Sequence, residues 1–166
     1  MNKAFYIERT GGKMEQTTLA LETILEVVRV EQVVMERPTE YKTGMVSSSY
    51  AGEFGIREIG NEASEVVLVV VLNTKNEINA VHRVFTGSLN TSVAHPREIF
   101  RTAIINNGAR IMLFHNHPSG DTDPSEADFA FTRRVVECGE MLGIEVMDHI
   151  IVTDNAYLSL REQGFM

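Results

Sequence analysis

Residues 66–72, Val-Val-Leu-Val-Val-Val-Leu, form the longest apolar run in the chain. A continuous β-branched run of that length predicts a central strand buried on both faces, with Glu65 at its leading end. Asn73-Thr74-Lys75-Asn76-Glu77 follows as a cluster of turn formers. Residues 78–86 then predict the partner strand of a hairpin, closed by Gly87 and Ser88. A second apolar run, residues 109–114, predicts another buried strand leading into His115, Asn116 and His117. Side chains alternate along a strand, so the two histidines point one way and Asn116 the other. Pro118 lacks the N–H that the ladder needs and ends that strand.

Helical spacing flanks these strands. Pro96 at N1 predicts a helix to about residue 106, with Ile99, Ala103 and Ile104 as its apolar stripe and Asn107-Gly108 as its stop. Phe131, Val135, Cys138 and Leu142 recur at helical spacing up to Gly143. Residues 144–153 predict a strand with Val146, Asp148, Ile150 and Val152 on one face and His149 on the other. Residues 157–160 predict a last short strand. Towards the N-terminus the pattern weakens. Residues 1–16 are polar and read as a loose arm. Thr17 or Thr18 caps a short helix through Leu19, Leu21, Ile24 and Leu25. Alternation over residues 27–35 suggests a strand, and residues 36–43, with Pro38, a loop. Ser47-Ser48-Ser49 precedes Tyr50, Ala51, Phe54 and Ile56, a short helix weakened by Gly52 and Gly55. No G-x-S-x-G elbow surrounds these serines, so they serve a turn and an N-cap rather than a nucleophile. The order of elements predicts a single α/β domain with helices on the faces of a sheet, preceded by an arm and a short helix.

Composition narrows the function. The formal net charge is −8, from 15 basic and 23 acidic residues, which argues against a broad nucleic-acid-binding surface. The single cysteine offers no disulfide framework and fits a reducing cytosol. No apolar run is long enough to span a membrane, and the first residues carry no apolar signal region; a cytoplasmic location is expected.

The chemistry concentrates in residues 115–128, His-Asn-His-Pro-Ser-Gly-Asp-Thr-Asp-Pro-Ser-Glu-Ala-Asp. Asp123 as N-cap, Pro124 at N1 and Glu126 at N3 predict a helix start. Ser125 and Asp128 would then share a face of its first turns with no capping task. The alternative is that Ser125-x-x-Asp128 is itself the capping box. Two imidazoles at a strand end and one carboxylate at the next helix make an N/N/O set with a fourth position for water. That is the layout of a catalytic zinc site rather than a closed structural one. Iron or cobalt would also suit these donors. Asp148, among apolar neighbours, is a candidate partner for a ligand histidine or a cap at the strand edge. His149 reads as structural, His82 as a surface residue, and His95 as part of a helix N-cap region.

The set resembles the JAMM (MPN+) metalloprotease motif: a distant Glu, then H-x-H-P, a Ser, and an Asp with ten residues between it and the second His. The segments HNHPSG, PSEAD and DHIIV resemble its bacterial RadC-like branch over most of the chain, which implies a RadC-like JAMM domain over residues 27–166 after an arm and short helix over residues 1–26. The resemblance implies a three-layer α-β-α domain around a mixed sheet, of the JAMM and cytidine-deaminase kind. It implies one Zn²⁺ per chain on His115, His117 and Asp128. Glu65 would be the base for a zinc-bound water, and Ser125 a donor to the oxyanion. The reaction would be hydrolysis of an amide or isopeptide bond in a protein or peptide substrate. Two other readings stand beside it. RadC-like proteins carry a DNA-repair label, and many have a helix–hairpin–helix region, yet residues 1–26 show no hairpin Gly-x-Gly pair flanked by basic residues, so DNA binding is not expected of these residues. A zinc-binding scaffold without hydrolase activity is the third, and the presence of Glu65 counts against it.

Overall fold

The computed structural model describes residues 4–10, 13–19, 32–36, 44–45, 47–87 and 95–166. The chain divides into two compact units, residues 1–39 and 40–166. In the first, β1 (Ala4–Thr10) and β2 (Lys13–Leu19) form an antiparallel hairpin. This replaces the loose arm expected there. Thr17, Thr18 and Leu19 belong to β2, so the helix proposed to start at them does not; its remainder lies outside the described residues. Residues 32–36 carry no regular structure, contrary to the expected strand, and residues 27–31 are outside the described set. The boundary expected between residues 26 and 27 is outside it as well.

The second unit is built on a five-stranded sheet of order β4-β3-β5-β6-β7. Its elements are α1 (Ser48–Ile59), β3 (Val66–Leu72), β4 (Ile78–Thr86), α2 (Pro96–Ile105), β5 (Arg110–Asn116), α3 (Glu126–Leu142), β6 (Glu145–Val152) and β7 (Tyr157–Ser159). β3 is antiparallel to both β4 and β5, β5 is parallel to β6, and β6 is antiparallel to β7, so the sheet is mixed. The parallel step needs a crossover, and α3 supplies it. β3 is buried at every position because both of its faces are covered. Val67, Val69 and Val71 pack with Ile99 and Phe100 of α2 and Phe131 and Val135 of α3. Val66, Leu68, Val70 and Leu72 pack with Ala51, Phe54 and Ile59 of α1. This is the expected single-domain three-layer α-β-α arrangement. Among the described residues no helix is long and apolar enough to cross a membrane.

Glycines set how closely the helices approach. A Cβ on Gly55 would stand 2.6 Å from the Phe114 ring, and one on Gly52 2.4 Å from Tyr157. Both glycines therefore let α1 lie against the sheet, which outweighs their poor helix propensity. Gly139 does the same for α3, where a Cβ would meet the Ile144 carbonyl at 2.5 Å. Gly143 ends α3 in the left-handed conformation. His95 caps α2 by accepting from the Arg97 N–H.

Several expectations from pattern fail for local reasons. Ile104 is exposed and Phe100 takes its place in the stripe of α2; Leu142 is exposed in the last turn of α3. Val146 faces α3 whereas Ile150 and Val152 face α1. The cause is a bulge: Ile111 pairs with Val146 but Met112 pairs with Asp148, so Met147 is an extra residue that shifts the alternation. Asp148 is buried and accepts from the Ser159 hydroxyl at 2.5 Å, the Arg161 N–H at 3.1 Å and the His149 N–H at 2.8 Å. Burial pushes its carboxyl up, against those donors. It ties β6 to the C-terminal turn and is not a partner of a ligand histidine. His82 is half-buried and hydrogen-bonds Thr102 of α2 at 2.7 Å.

Gly55→Ala tests the packing of α1. Helix propensity alone would stabilise by up to about 1 kcal/mol. The clash with Phe114 instead predicts a loss of about 1–3 kcal/mol, as for overpacked cores. Chemical denaturation measures the sign, and a more stable variant would show that α1 does not need the gap.

Candidate metal centre

The centre forms where the end of β5 meets the start of α3. His115 is the penultimate residue of β5, and His117 follows the strand with its N–H on the Val152 carbonyl at 2.9 Å. The alternation expected for the pair holds. His115 Nδ1 lies 3.2 Å from Asp128 Oδ1, and His117 Nε2 lies 3.5 Å from Asp128 Oδ2. One ligand atom from each of the three falls within 4.8 Å of the others. His117 Nδ1 is 2.8 Å from the Asp121 carbonyl oxygen, so it donates there and leaves Nε2 to face the cluster. The loop after Pro118 turns at Gly120, whose φ of 83° suits glycine and brings Asp121 back under His117.

The helix start differs from expectation. Ser125, not Asp123, is the N-cap of α3, and the first helical residue is Glu126. The Asp128 N–H donates to Ser125 Oγ at 3.2 Å, and the Ser125 N–H donates to Asp128 Oδ2 at 2.8 Å. That is a capping box with Asp in place of the usual Glu. The Ser125 hydroxyl also donates to Asp128 Oδ2 at 2.6 Å. Asp123 sits in the preceding loop, its N–H on Asp121 Oδ1 at 3.0 Å. Capping and cluster formation are therefore not rivals: Asp128 does both, one oxygen toward each histidine and the second shared with Ser125.

Asp128 is buried, and burial pushes its carboxyl up. The neighbouring His115 and His117 imidazoles and the two Ser125 donors overcome this and hold it well below the usual carboxylate range. The Asp128 carboxylate raises His117; burial opposes, while the Asp121 carbonyl and the Glu65 charge add to the rise. His115 is 1 % exposed, and neither of its ring nitrogens has a hydrogen-bond partner. The 3.2 Å approach to Asp128 is electrostatic contact only. Buried polar atoms without partners are costly, and a cation among two imidazoles and a carboxylate would satisfy one of them. The donor set thus fits a divalent metal such as zinc, with three protein ligands and an open position.

Glu65 precedes β3 and lines the same open cleft of about 620 Å³ as His115, His117, Ser125 and Asp128. Its placement rests on Asn116, which strand alternation sends to the face opposite the two histidines. Asn116 is fully buried; its Oδ1 accepts the Val66 N–H at 2.6 Å, and its Nδ2 donates to the Glu62 and Ser64 carbonyls at 3.2 Å each. The Glu65 carbonyl accepts the Gly87 N–H at 2.8 Å. The segment carrying Glu65 is thereby latched to the middle residue of His-Asn-His. A buried amide between two metal-facing histidines was the available signal, because buried polar groups find partners. A second depression of about 360 Å³ continues from the cleft past His117 and Pro118 to Asn61 and Asp154.

Residues 45–165 match the family model described as "RadC-like JAB domain". The chain is 48% identical over 128 residues to a UPF0758 protein of Enterococcus faecalis, covering 76% of this chain and 55% of that one. It is 43% identical over 122 residues to one from Latilactobacillus sakei, covering 74% and 54%. A Clostridium beijerinckii UPF0758 protein is 51% identical over 109 residues, covering 66% and 48%. The chain spans about half the length of the curated relatives it matches, and their names state no activity. With the mixed sheet, the His-His-Asp cluster and the matched span together, the chain belongs to the RadC-like JAB domain family.

Proposed function

We propose that this chain is a zinc-dependent hydrolase of the metallopeptidase or isopeptidase type. The observation that carries it is the convergence of His115, His117 and Asp128 with Glu65 on one cleft. Bound zinc would supply a Lewis acid that polarises a carbonyl and brings the pKa of water toward neutrality. The chain's own residues do the rest. Asp121 orients His117 so that Nε2 faces the metal position. Asn116 fixes the backbone of Glu65, which takes a proton from the attacking water and returns it to the leaving nitrogen. The Ser125 hydroxyl, held on Asp128 at 2.6 Å, stands beside the ligand set. It turns from Asp128 toward the oxyanion as charge develops there, a role that the cap's two backbone hydrogen bonds leave open.

The cleft favours a protein or peptide substrate over nucleic acid. Glu65, Asp121, Asp123 and Asp128 line it, Glu62 and Asp154 line its continuation, and among the described residues no Lys or Arg lines either. A phosphate backbone would meet like charge, with none of the cations that carry nucleic-acid affinity.

Zinc analysis of the purified chain tests the ligand set, with about one zinc per chain expected from a single three-ligand site. His117→Ala loses most of it. Zinc competes with protons for the His117 imidazole, whose pKa the Asp128 carboxylate raises, so affinity falls as pH falls. The Asp128 carboxyl is depressed in the fold, so its contribution to stability is present above the ordinary carboxylate pKa and is lost only in strong acid. Full zinc retention in a His115→Ala, His117→Ala double variant would rule out the ligand assignment.

Glu65→Gln tests the base. Glutamine keeps the shape but accepts no proton at neutral pH, so zinc content and unfolding midpoint stay while turnover drops about 10²–10⁴-fold. Peptide and isopeptide libraries screened with both forms provide the measurement. Equal cleavage by both would remove Glu65 from the mechanism, and no cleavage by either would favour the scaffold reading.

A further inference from the structure

Among the described residues, the buried side-chain polar atoms without a hydrogen-bond partner are three: His115 Nδ1, His115 Nε2 and His149 Nε2. They belong to two neighbouring rings. Leu113 pairs with His149 across β5 and β6, so His115 and His149 stand on the same, α3-covered face two residues apart along the ladder. Their ring centroids are 6.3 Å apart and the planes differ by 25°. Both side chains are essentially unexposed.

The protons on this side can be assigned from hydrogen-bond bookkeeping. Thr132 Oγ donates its one proton to the Asp128 carbonyl at 2.6 Å, the bond that helical threonines make to the residue four earlier. His149 Nδ1 lies 2.6 Å from the same Thr132 oxygen. The hydroxyl proton being spent, His149 Nδ1 must be the donor. In the neutral ring Nε2 is then a bare lone pair, an acceptor. On His115 a bound metal would take Nδ1, the atom that faces Asp128. Its Nε2 then carries the proton and needs an acceptor. A metal and one hydrogen bond would account for all three orphaned nitrogens.

We propose that His149 is a positioning residue for the metal centre, accepting at Nε2 from the Nε2–H of His115, directly or through one water. The inference rests on the metal reading above. It completes a relay from one ligand to the backbone of another: His115 to His149, His149 to Thr132, Thr132 to the Asp128 carbonyl. The relay fixes the His115 tautomer that presents Nδ1 to the metal. Loss of such an outer partner typically lowers metal affinity about 10–100-fold.

The test combines tautomer and affinity. Long-range ¹H–¹⁵N correlation on the metal-free chain should show His149 protonated at Nδ1; protonation at Nε2 instead overturns the relay. Zinc competition against a chelating indicator should show His149→Phe weakened about 10–100-fold, with His149→Gln regaining most of the loss. The glutamine can accept from His115 and donate to Thr132, which a role in packing alone would not require. A His149→Phe variant that folds and holds zinc as tightly as the parent overturns the proposal. Should that variant fail to fold, Thr132→Val carries the test: it leaves the His149 Nδ1–H without a partner and should yield mixed tautomers and weaker zinc. Unchanged tautomer and affinity there would overturn it. A parent chain that binds no zinc defeats the metal reading itself, and the metal-free tautomer of His149 then decides the relay separately.

Discussion

The Asp128 carboxylate is the point at which local folding and site chemistry become one problem. A buried carboxylate is expensive unless it is surrounded by donors. Asp128 has the Ser125 N–H and hydroxyl on Oδ2 and an imidazole within 3.2–3.5 Å of each oxygen. The same residue that accepts the Ser125 N–H at the start of α3 thus faces the end of β5. A helix that started one turn earlier or later would aim this carboxylate elsewhere. The cap accordingly fixes the register of α3 against the sheet as well as its beginning.

The second constraint is the antiparallel contact of β3 with β5. It pairs Val67 with His115 and brings the segment before β3 to the metal-facing end of β5. Strand alternation then assigns opposite tasks to adjacent residues. His115 turns toward α3 and the cluster; Asn116 turns the other way and is consumed by the backbone of residues 62–66. Neither face of this strand end is spare. An apolar residue in place of Asn116 would strand one N–H and two carbonyls of that segment, and the segment carries Glu65.

Much of this was legible because it depends on periods and punctuation. The β-branched run of β3, the turn at residues 73–77, Pro96 at the start of α2 and Gly143 at the end of α3 each have a local physical cause. The His-x-His spacing gave two side chains on one face for the same reason. What was not legible depends on competition or on insertion. Asp123 and Ser125 are both good N-cap residues, and Asp123 had Pro124 and Glu126 in its favour. Ser125 prevails because only its frame places a carboxylate at N3 that also reaches two histidines. The bulge at Met147 changes the face of Val146 relative to Ile150, and no period reveals an extra residue. Ile104 and Leu142 fit their helical stripes in sequence but lie in the last turns of α2 and α3, where the sheet no longer covers them. The hairpin of β1 and β2 has a weak hydrophobic pattern, which reads as an arm over residues 1–16 and a helix start at Thr17 or Thr18.

The placement of the parts has a consequence for how function can vary within such a fold. His115, His117 and Asp128, the three candidate ligands, come from the end of β5 and the start of α3, whereas Glu65 comes from the loop before β3. Metal binding, on the reading proposed above, would draw on the cap, the Asp121 carbonyl and the His149 side of the sheet. Proton transfer by Glu65 would draw on the Asn116 latch. The two sets share only the backbone of β5. A substitution at Asn116 or Glu65 could therefore leave a metal-holding domain with no base. A substitution at Ser125 or Thr132 would disturb the ligands while leaving Glu65 in place. A hydrolase and a metal scaffold would differ here by the state of the latch rather than by the ligand set. For that reason the His-His-Asp cluster alone speaks for a candidate metal centre, and the buried amide between its histidines is what turns attention to catalysis.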